Sequence, residues 1–509
     1  MAAPSYANIV CTTSSANTAI ATSALYVFDS DHGSVVFSSD ISDDIIWDKS
    51  AGTITFQNAG VYHIVANLIT ESAAGIRTHT VTFNLNSDSA IYSGAAQCPA
   101  AFDPLSHTHQ RIISVSSGGV LHIKGVASAS TFGINAGSSL VINKITSRVY
   151  ASSTVSTAGS NDTTSEFNPL DTDLTGGPAF ATAHKIASGI TFAGAAGSMT
   201  VPSAGRYFIM VNNLIGAGSA NSDVAIHIKE GSNELYTIGT RAHNSTDVEE
   251  TTICLIEDLA ASAVLTMTYD IGSGDCFAAL GTTFTVYKLN EDLQGRQEVM
   301  DINNASICVV NKASATAAAT EYNGFDEDNY SSADFDTRYN NDITFASGDG
   351  TFTIGSKGTY WIFYTAQIST ASDAKVTTKI KVNGTAIYTS VVHIDSLNDP
   401  MNRTHSTIIN CVSGDSITTT IDSDSPNIQQ LAGSTITIIK IPDWANKRIT
   451  PEDLIDSGFR INSFSQDYLS VQYDRHGDQV PFIFGVRGPL SLRKRNSAPI
   501  ITVGKTNKT

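Results

Sequence analysis

The chain has 509 residues, a mass of 53.8 kDa and 48 acidic against 30 basic side chains, a formal net charge of -18. That length suggests three or four domains, and charged residues are scarce at 15%, against about 25% in an ordinary soluble protein. An evenly acidic surface disfavours wrapping nucleic acid, and no apolar run reaches the roughly 18 residues of a membrane-spanning helix.

The opening segment, MAAPSYANIVC, has no basic region and no long apolar stretch, so it does not read as a signal peptide. It runs almost at once into a strand-like sequence. The cysteines Cys11, Cys98, Cys254, Cys276, Cys308 and Cys411 form no CxxC pair and no metal-ligand cluster. Their spacing favours no disulfide pairing, and they read as reduced, mostly buried thiols.

An internal repeat follows. Residues 54–64 read ITFQNAGVYHI, 199–209 read MTVPSAGRYFI and 352–362 read FTIGSKGTYWI. The shared positions are Gly60, Gly205 and Gly358, each two residues before Tyr62, Tyr207 and Tyr360. A second marker comes between, in FNLNSDSAIY, IHIKEGSNELY and IKVNGTAIY, which end at Tyr92, Tyr236 and Tyr388. A third opens on glycine: GSSLVINKI from Gly137, GTTFTVYKL from Gly281 and GSTITIIKI from Gly433. First-to-third glycine gaps of 77, 76 and 75 residues hold one register.

The markers alternate apolar and polar residues, as half-buried strands do. The glycine before each marker tyrosine is expected to take positive φ in a turn. Asn383-Gly384 is the preferred type I′ hairpin pair. Strands every 8–15 residues, separated by Gly, Ser, Asn and Asp, point to all-β sandwiches of jelly-roll type. Few long surface helices then explains few charges.

At these residues the chain resembles the complement C1q and tumour necrosis factor family of jelly rolls. That family has an apolar-Thr-apolar strand, a turn ending in Gly and a Tyr-aromatic strand, and VPSAGRYF is closest to it. The resemblance covers about 1–442. It implies association in threes around an aromatic-lined axis. Three copies in one chain allow an internal pseudo-trimer or a stack of trimeric layers from three chains, and the linkers leave that choice open. The collagen-like stalk and membrane anchor of the family are missing.

The expected fold is all-β: three tandem jelly-roll sandwiches followed by a mixed C-terminal extension. The domains are 1–147, 148–292 and 303–442, with a linker at 293–302 and the extension at 443–509. Residues 443–509 hold ten Lys or Arg against seven Asp or Glu, a net of +3, which leaves -21 on 1–442. TPEDLIDSG at 450–458 reads as a short helix with Thr450 as N-cap and Pro451 at N1. FRINSFSQDYLSVQYD then alternates like strand. The last 24 residues carry six basic side chains and no acidic one. Arg487, Arg493, Lys494 and Arg495 are candidate docking residues of an extended arm. A solvated basic tail is the plainer reading.

No enzyme motif is present: no GxSxG, HExxH, Walker loop or GxGxxG opening a helix. His107 and His109 share one strand face at a spacing that can chelate a metal. Lacking a third ligand, they read better as a polar strand pair. Acidic groups at Asp29 and Asp31, Asp40 with Asp43 and Asp44, Asp326 to Asp328, Asp334 with Asp336, and Asp422 with Asp424 read mostly as solvated turns. Asp-x-Asp loops can bind Ca²⁺, as some jelly rolls of the resembled family do. No catalytic, cofactor or metal residue is assigned.

These features fit a virion structural protein of minor capsid, vertex, fibre or decoration type, with no enzymatic role. Its partners would be other virion proteins or sister subunits, and a host-surface protein or glycan met by outward loops. The alternatives are a C1q-like adhesin working outside the cell, or a carbohydrate-active enzyme with an unseen carboxylate pair.

Overall fold

Strands dominate because β-branched and aromatic residues alternate with small polar ones. Thr53–Phe56 and Thr351–Ile354 each bury every second side chain. In this computed structural model residues 5–289 and 304–441 are described apart from segments of eleven residues or fewer. So are 460–465, 468–472, 490–495 and 498–503.

In the first repeat the strands are β1 (Tyr6–Thr13), β2 (Leu25–Tyr26), β3 (Val36–Ile41), β4 (Ile45–Asp48), β5 (Thr53–Phe56) and β6 (Gly60–Ser72). They continue as β7 (Arg77–Leu85), β8 (Ala90–Cys98), β9 (Leu105–Val115), β10 (Gly119–Ala127), β11 (Phe132–Ile134) and β12 (Ser139–Ile145). All pairings are antiparallel. One sheet runs β9–β6–β12–β1–β3, with β11 continuing the β12 edge along β6. The other runs β4–β5–β10–β7–β8, with β2 beside β10 beyond β5. The chain passes back and forth between the two sheets, staying in one only for β4–β5, β7–β8 and β11–β12, the two-sheet exchange of a jelly roll.

The same order recurs twice. Lys185–Ser188, Tyr150–Thr154, Thr283–Lys288, Gly205–Ala217 and Val248–Leu259 form one sheet of the second sandwich. Tyr330–Arg338, Asn304–Ala315, Thr435–Ile441, Gly358–Thr370 and Met401–Cys411 form its counterpart in the third. Each sandwich has its own apolar core, centred on Phe56, Phe83 and Leu121, on Leu265, Met267 and Phe284, and on Phe352, Ile380 and Ile421.

A fourth apolar cluster draws on all three sandwiches. It joins Val65, Ile112 and Val141 to Phe208, Met210, Cys254 and Tyr287, and to Trp361, Phe363, Ile408 and Ile439. These residues lie on β6, β9 and β12 and on their equivalents, so one sheet of each sandwich faces a common centre. Residues 4–442 are one compact unit. Of the two arrangements the repeat allowed, the chain adopts the internal pseudo-trimer.

At Asn383 and Gly384, φ is 49° and 78°, as a type I′ turn needs, and Val382 pairs with Thr385 across it. Residues 443–509 belong to a second unit. Its described strands, Arg460–Ser465, Tyr468–Gln472, Leu490–Arg495 and Ala498–Val503, form a four-stranded antiparallel sheet. The helix expected at 450–458, the linker at 293–302 and Arg487 lie outside the described residues.

Candidate functional site

The repeated residues turn out to be joints. In the first marker the tyrosine hydroxyl folds back onto its own turn. Tyr62 Oη donates to Asn58 O at 2.9 Å, Tyr207 Oη to Ser203 O at 2.7 Å and Tyr360 Oη to Ser356 O at 2.6 Å. The expectation of positive φ at the glycines holds only for Gly205, at 150°; Gly60 and Gly358 do not share it. The common requirement is space. A Cβ on Gly60, Gly205 or Gly358 would lie 2.6, 2.4 or 2.3 Å from the Cε of Lys144, Lys288 or Lys440. Those lysine stems cross the glycine, and the Lys144 and Lys440 ammoniums lie 5.5 and 5.8 Å from the Tyr62 and Tyr360 ring centroids.

The other two markers meet between sandwiches. Tyr92 Oη donates to Gly281 O at 3.4 Å, Tyr236 Oη to Gly433 O and Tyr388 Oη to Gly137 O. The three clasps run first to second, second to third and third to first, and so close a ring. The glycines have φ of 92°, 96° and 93° at 137, 281 and 433. A Cβ on Gly137 would lie 2.6 Å from Thr389 O, and one on Gly281 would lie 2.4 Å from Gly94 Cα. Conformation and close approach by the neighbouring sandwich therefore both demand glycine.

Inside the ring the facing residues change along the axis. One level holds His63, Phe208 and Trp361, and the next Val65, Met210 and Phe363. Asn67, Asn212 and Thr365 follow at the equivalent register. The aromatic level is tight: Phe208 stacks on Tyr287 at 4.8 Å and the His63 ring lies 5.3 Å from Trp361. The polar level is bonded across sandwiches. Asn212 Nδ2 donates to Thr108 O at 2.5 Å, Thr365 Oγ1 to Thr252 O at 3.2 Å and Ser139 Oγ to Ser406 O at 3.0 Å. Gln110 spans the first and second sandwiches, donating to Thr283 O at 3.2 Å and accepting from Thr285 Oγ1 at 2.7 Å.

Beyond this level lies a junction of charged groups. Glu250 of the second sandwich accepts the Thr108 N–H of the first at 2.5 Å and the Thr252 hydroxyl at 2.7 Å. Burial raises its carboxyl to about 7, against the pull of those donors and of Arg403. Arg403 of the third sandwich is 3% exposed and donates to Asn402 O at 2.7 Å. Burial lowers both Arg403 and Arg111 to about 10. His107 and His109, 2.9 Å apart (Nδ1 to Nε2), are buried here as a hydrogen-bonded pair. Among the described residues no three His, Cys, Asp or Glu side chains gather as metal ligands. Sequence reasoning saw the histidine spacing. It missed Glu250, Arg403 and His405, because only the ring brings residues from separate repeats together.

Elsewhere the acidic groups hold turns and seams. Asp40 accepts Tyr6 Oη at 3.2 Å and Asn410 Nδ2 at 2.9 Å, tying the first sandwich to the third. Asp44 accepts Ser42 Oγ at 2.6 Å, and Asp424 accepts the Lys375 N–H at 2.7 Å. Asp31, Asp328 and the side chains of Asp334 and Asp336 are outside the description. Cys11, Cys254, Cys276 and Cys411 are free and buried. The side chains of Cys98 and Cys308 are not described. Arg493, Lys494 and Arg495 lie in the strand Leu490–Arg495, paired with Ile500, Pro499 and Ala498. The basic run is therefore an outer strand of a sheet, where an extended arm was expected. Alternating Leu490, Leu492 and the following residues already fit a strand period.

The chain matches no protein-family profile and no curated protein. Among solved structures it is similar to the crystal structure of murine APRIL, at 10% identity and a TM-score of 0.20. That match covers 28% of this chain and 99% of the other.

Proposed function

We propose that the protein is a structural component of a virion, of minor capsid, vertex, fibre or decoration type, without enzymatic activity. Residues 4–442 act as the display head, and residues 443–509 attach it to sister subunits or other virion proteins. The observation that supports this reading is ring closure by the Tyr92–Gly281, Tyr236–Gly433 and Tyr388–Gly137 clasps. A chain that fills its own threefold centre leaves outer sheets and loops for contact, as a display head requires. Its acidic body and its +3 terminal unit divide display from attachment by charge. The outward loops are the surface that a host protein or glycan would meet.

The test is mass spectrometry and immunogold labelling of purified particles from the source of the sequence. The protein should be a stoichiometric particle component, and removing residues 443–509 should abolish its incorporation. Particles that lack the protein would refute the reading.

A further inference from the structure

Two of the three clasps are backed by a buried imidazole, and one is not. Tyr92 Oη lies 2.7 Å from His109 Nδ1. His109 Nε2 lies 2.9 Å from His107 Nδ1, whose Nε2 is 2.9 Å from Thr70 Oγ1, itself 2.8 Å from His79 Nδ1. Tyr388 Oη lies 3.4 Å from His405 Nδ1, and His405 Nε2 is 2.6 Å from Thr378 Oγ1. At the matching register the second sandwich has Ile253 in place of His109 and His405, so Tyr236 has no imidazole at that position.

One assignment of protons satisfies the longer chain. His79 Nδ1–H donates to Thr70, and the Thr70 hydroxyl donates to His107 Nε2. His107 Nδ1–H donates to His109 Nε2, and His109 Nδ1–H donates to Tyr92, which donates to Gly281 O. In this assignment the Thr70–His107 and His107–His109 links need unprotonated Nε2 atoms on His107 and His109. A proton added to His109 Nε2 sets two N–H groups against each other across 2.9 Å. At His405 the same proton puts a charge beside Arg403.

We propose that the ring is built to open in acid at the first sandwich: its two clasps, Tyr92–Gly281 and Tyr388–Gly137, release while Tyr236–Gly433 holds. The first sandwich then swings free of a joined second and third pair. The proposal does not depend on the virion reading.

The surroundings support it. Burial holds His79 at about 4, His109 and His405 at about 3, and His107 well below the ordinary value. Arg403 faces His107 and His405, and Arg111 faces Tyr92, so the positive neighbours oppose an imidazolium. Tyr364 packs on His405 at 6.1 Å between ring centroids. Glu249 and Glu250 are the acidic groups at this junction. Glu250 is itself half protonated at about pH 7, so below that pH it gives little countercharge. It takes up its proton in the closed ring and so resists opening, one group against four imidazoles. Each imidazole freed to charge favours the open form by up to about tenfold per pH unit below 6.5.

The full chain is followed from about pH 8 to about pH 4 by small-angle scattering and far-ultraviolet circular dichroism. In-line size exclusion removes aggregate formed near the pI of about 4.9. The wild-type radius of gyration should rise on acidification while the β signal is unchanged, and should recover on neutralisation. The double variant His109→Gln, His405→Gln keeps neutral hydrogen-bonding side chains and should stay compact about one pH unit lower. If that variant fails to fold at neutral pH, His109→Ile with His405→Ile, copying Ile253, takes its place. The proposal is overturned by a wild type that stays compact throughout, by wild type and variant opening at the same pH, or by expansion only together with loss of β signal.

Discussion

At Gly281 one residue serves backbone conformation and assembly at once. Its φ of 96° is strained for any L side chain, and its Cβ would enter the first sandwich at Gly94. Gly281→Ala should therefore cost about 2–4 kcal/mol, read as a lower urea midpoint. Tyr388→Phe leaves the Gly137 carbonyl without its donor and should cost about 1–2 kcal/mol. Titration acts at the same scale. His63, His79, His107, His109 and His405 all have folded pKa values depressed by burial. Their contribution is complete above about pH 6.5 and is lost as pH falls toward the folded values, at up to about 1.4 kcal/mol per pH unit for each. Glu250, raised to about 7, has the opposite sign and loses its contribution as pH rises from 4.5 through 7. The five histidines outweigh it. Urea stability should fall steadily from pH 6.5 to pH 5, and a flat profile would contradict these assignments.

At the scale of strands, the sequence pattern was legible wherever it repeats. Alternation in ITFQNAGVYHI and its copies marked the strands, and Asn383-Gly384 marked its hairpin. Tyr92, Tyr236 and Tyr388 were visible as a periodic signal, but not as donors to Gly281, Gly433 and Gly137. That partnership joins residues 189, 197 and 251 positions apart, across separate folding units. The glycine of the first marker reads in sequence as a turn residue, because a lysine stem crossing it leaves no local trace. Gly358→Ala should displace Lys440 from Tyr360 and cost less than Gly281→Ala, since a flexible stem can move where backbone cannot. A double-mutant cycle with Lys440→Ala should show coupling of about 0.5–1 kcal/mol; independent effects would mean that the lysine is a bystander. The basic run from Arg493 to Arg495 drew attention to its charge, and its place in a strand followed from the alternation around it.

For residues 4–442 as a whole, the axis divides into an aromatic level around Phe208, Tyr287 and Trp361 and a polar level around Asn67, Asn212 and Thr365. The aromatic level contributes burial, and the polar level sets which sandwich meets which. Trp361→Ala should cost about 3–5 kcal/mol and loosen all three sandwiches together, because the residue touches the centre and not one domain's own core. The threefold centre is made within one chain. Size-exclusion chromatography with multi-angle light scattering on the full chain measures this most directly. A folded species near 53.8 kDa is expected at high dilution, and a species of about three times that mass that yields no folded single chain on dilution would contradict it.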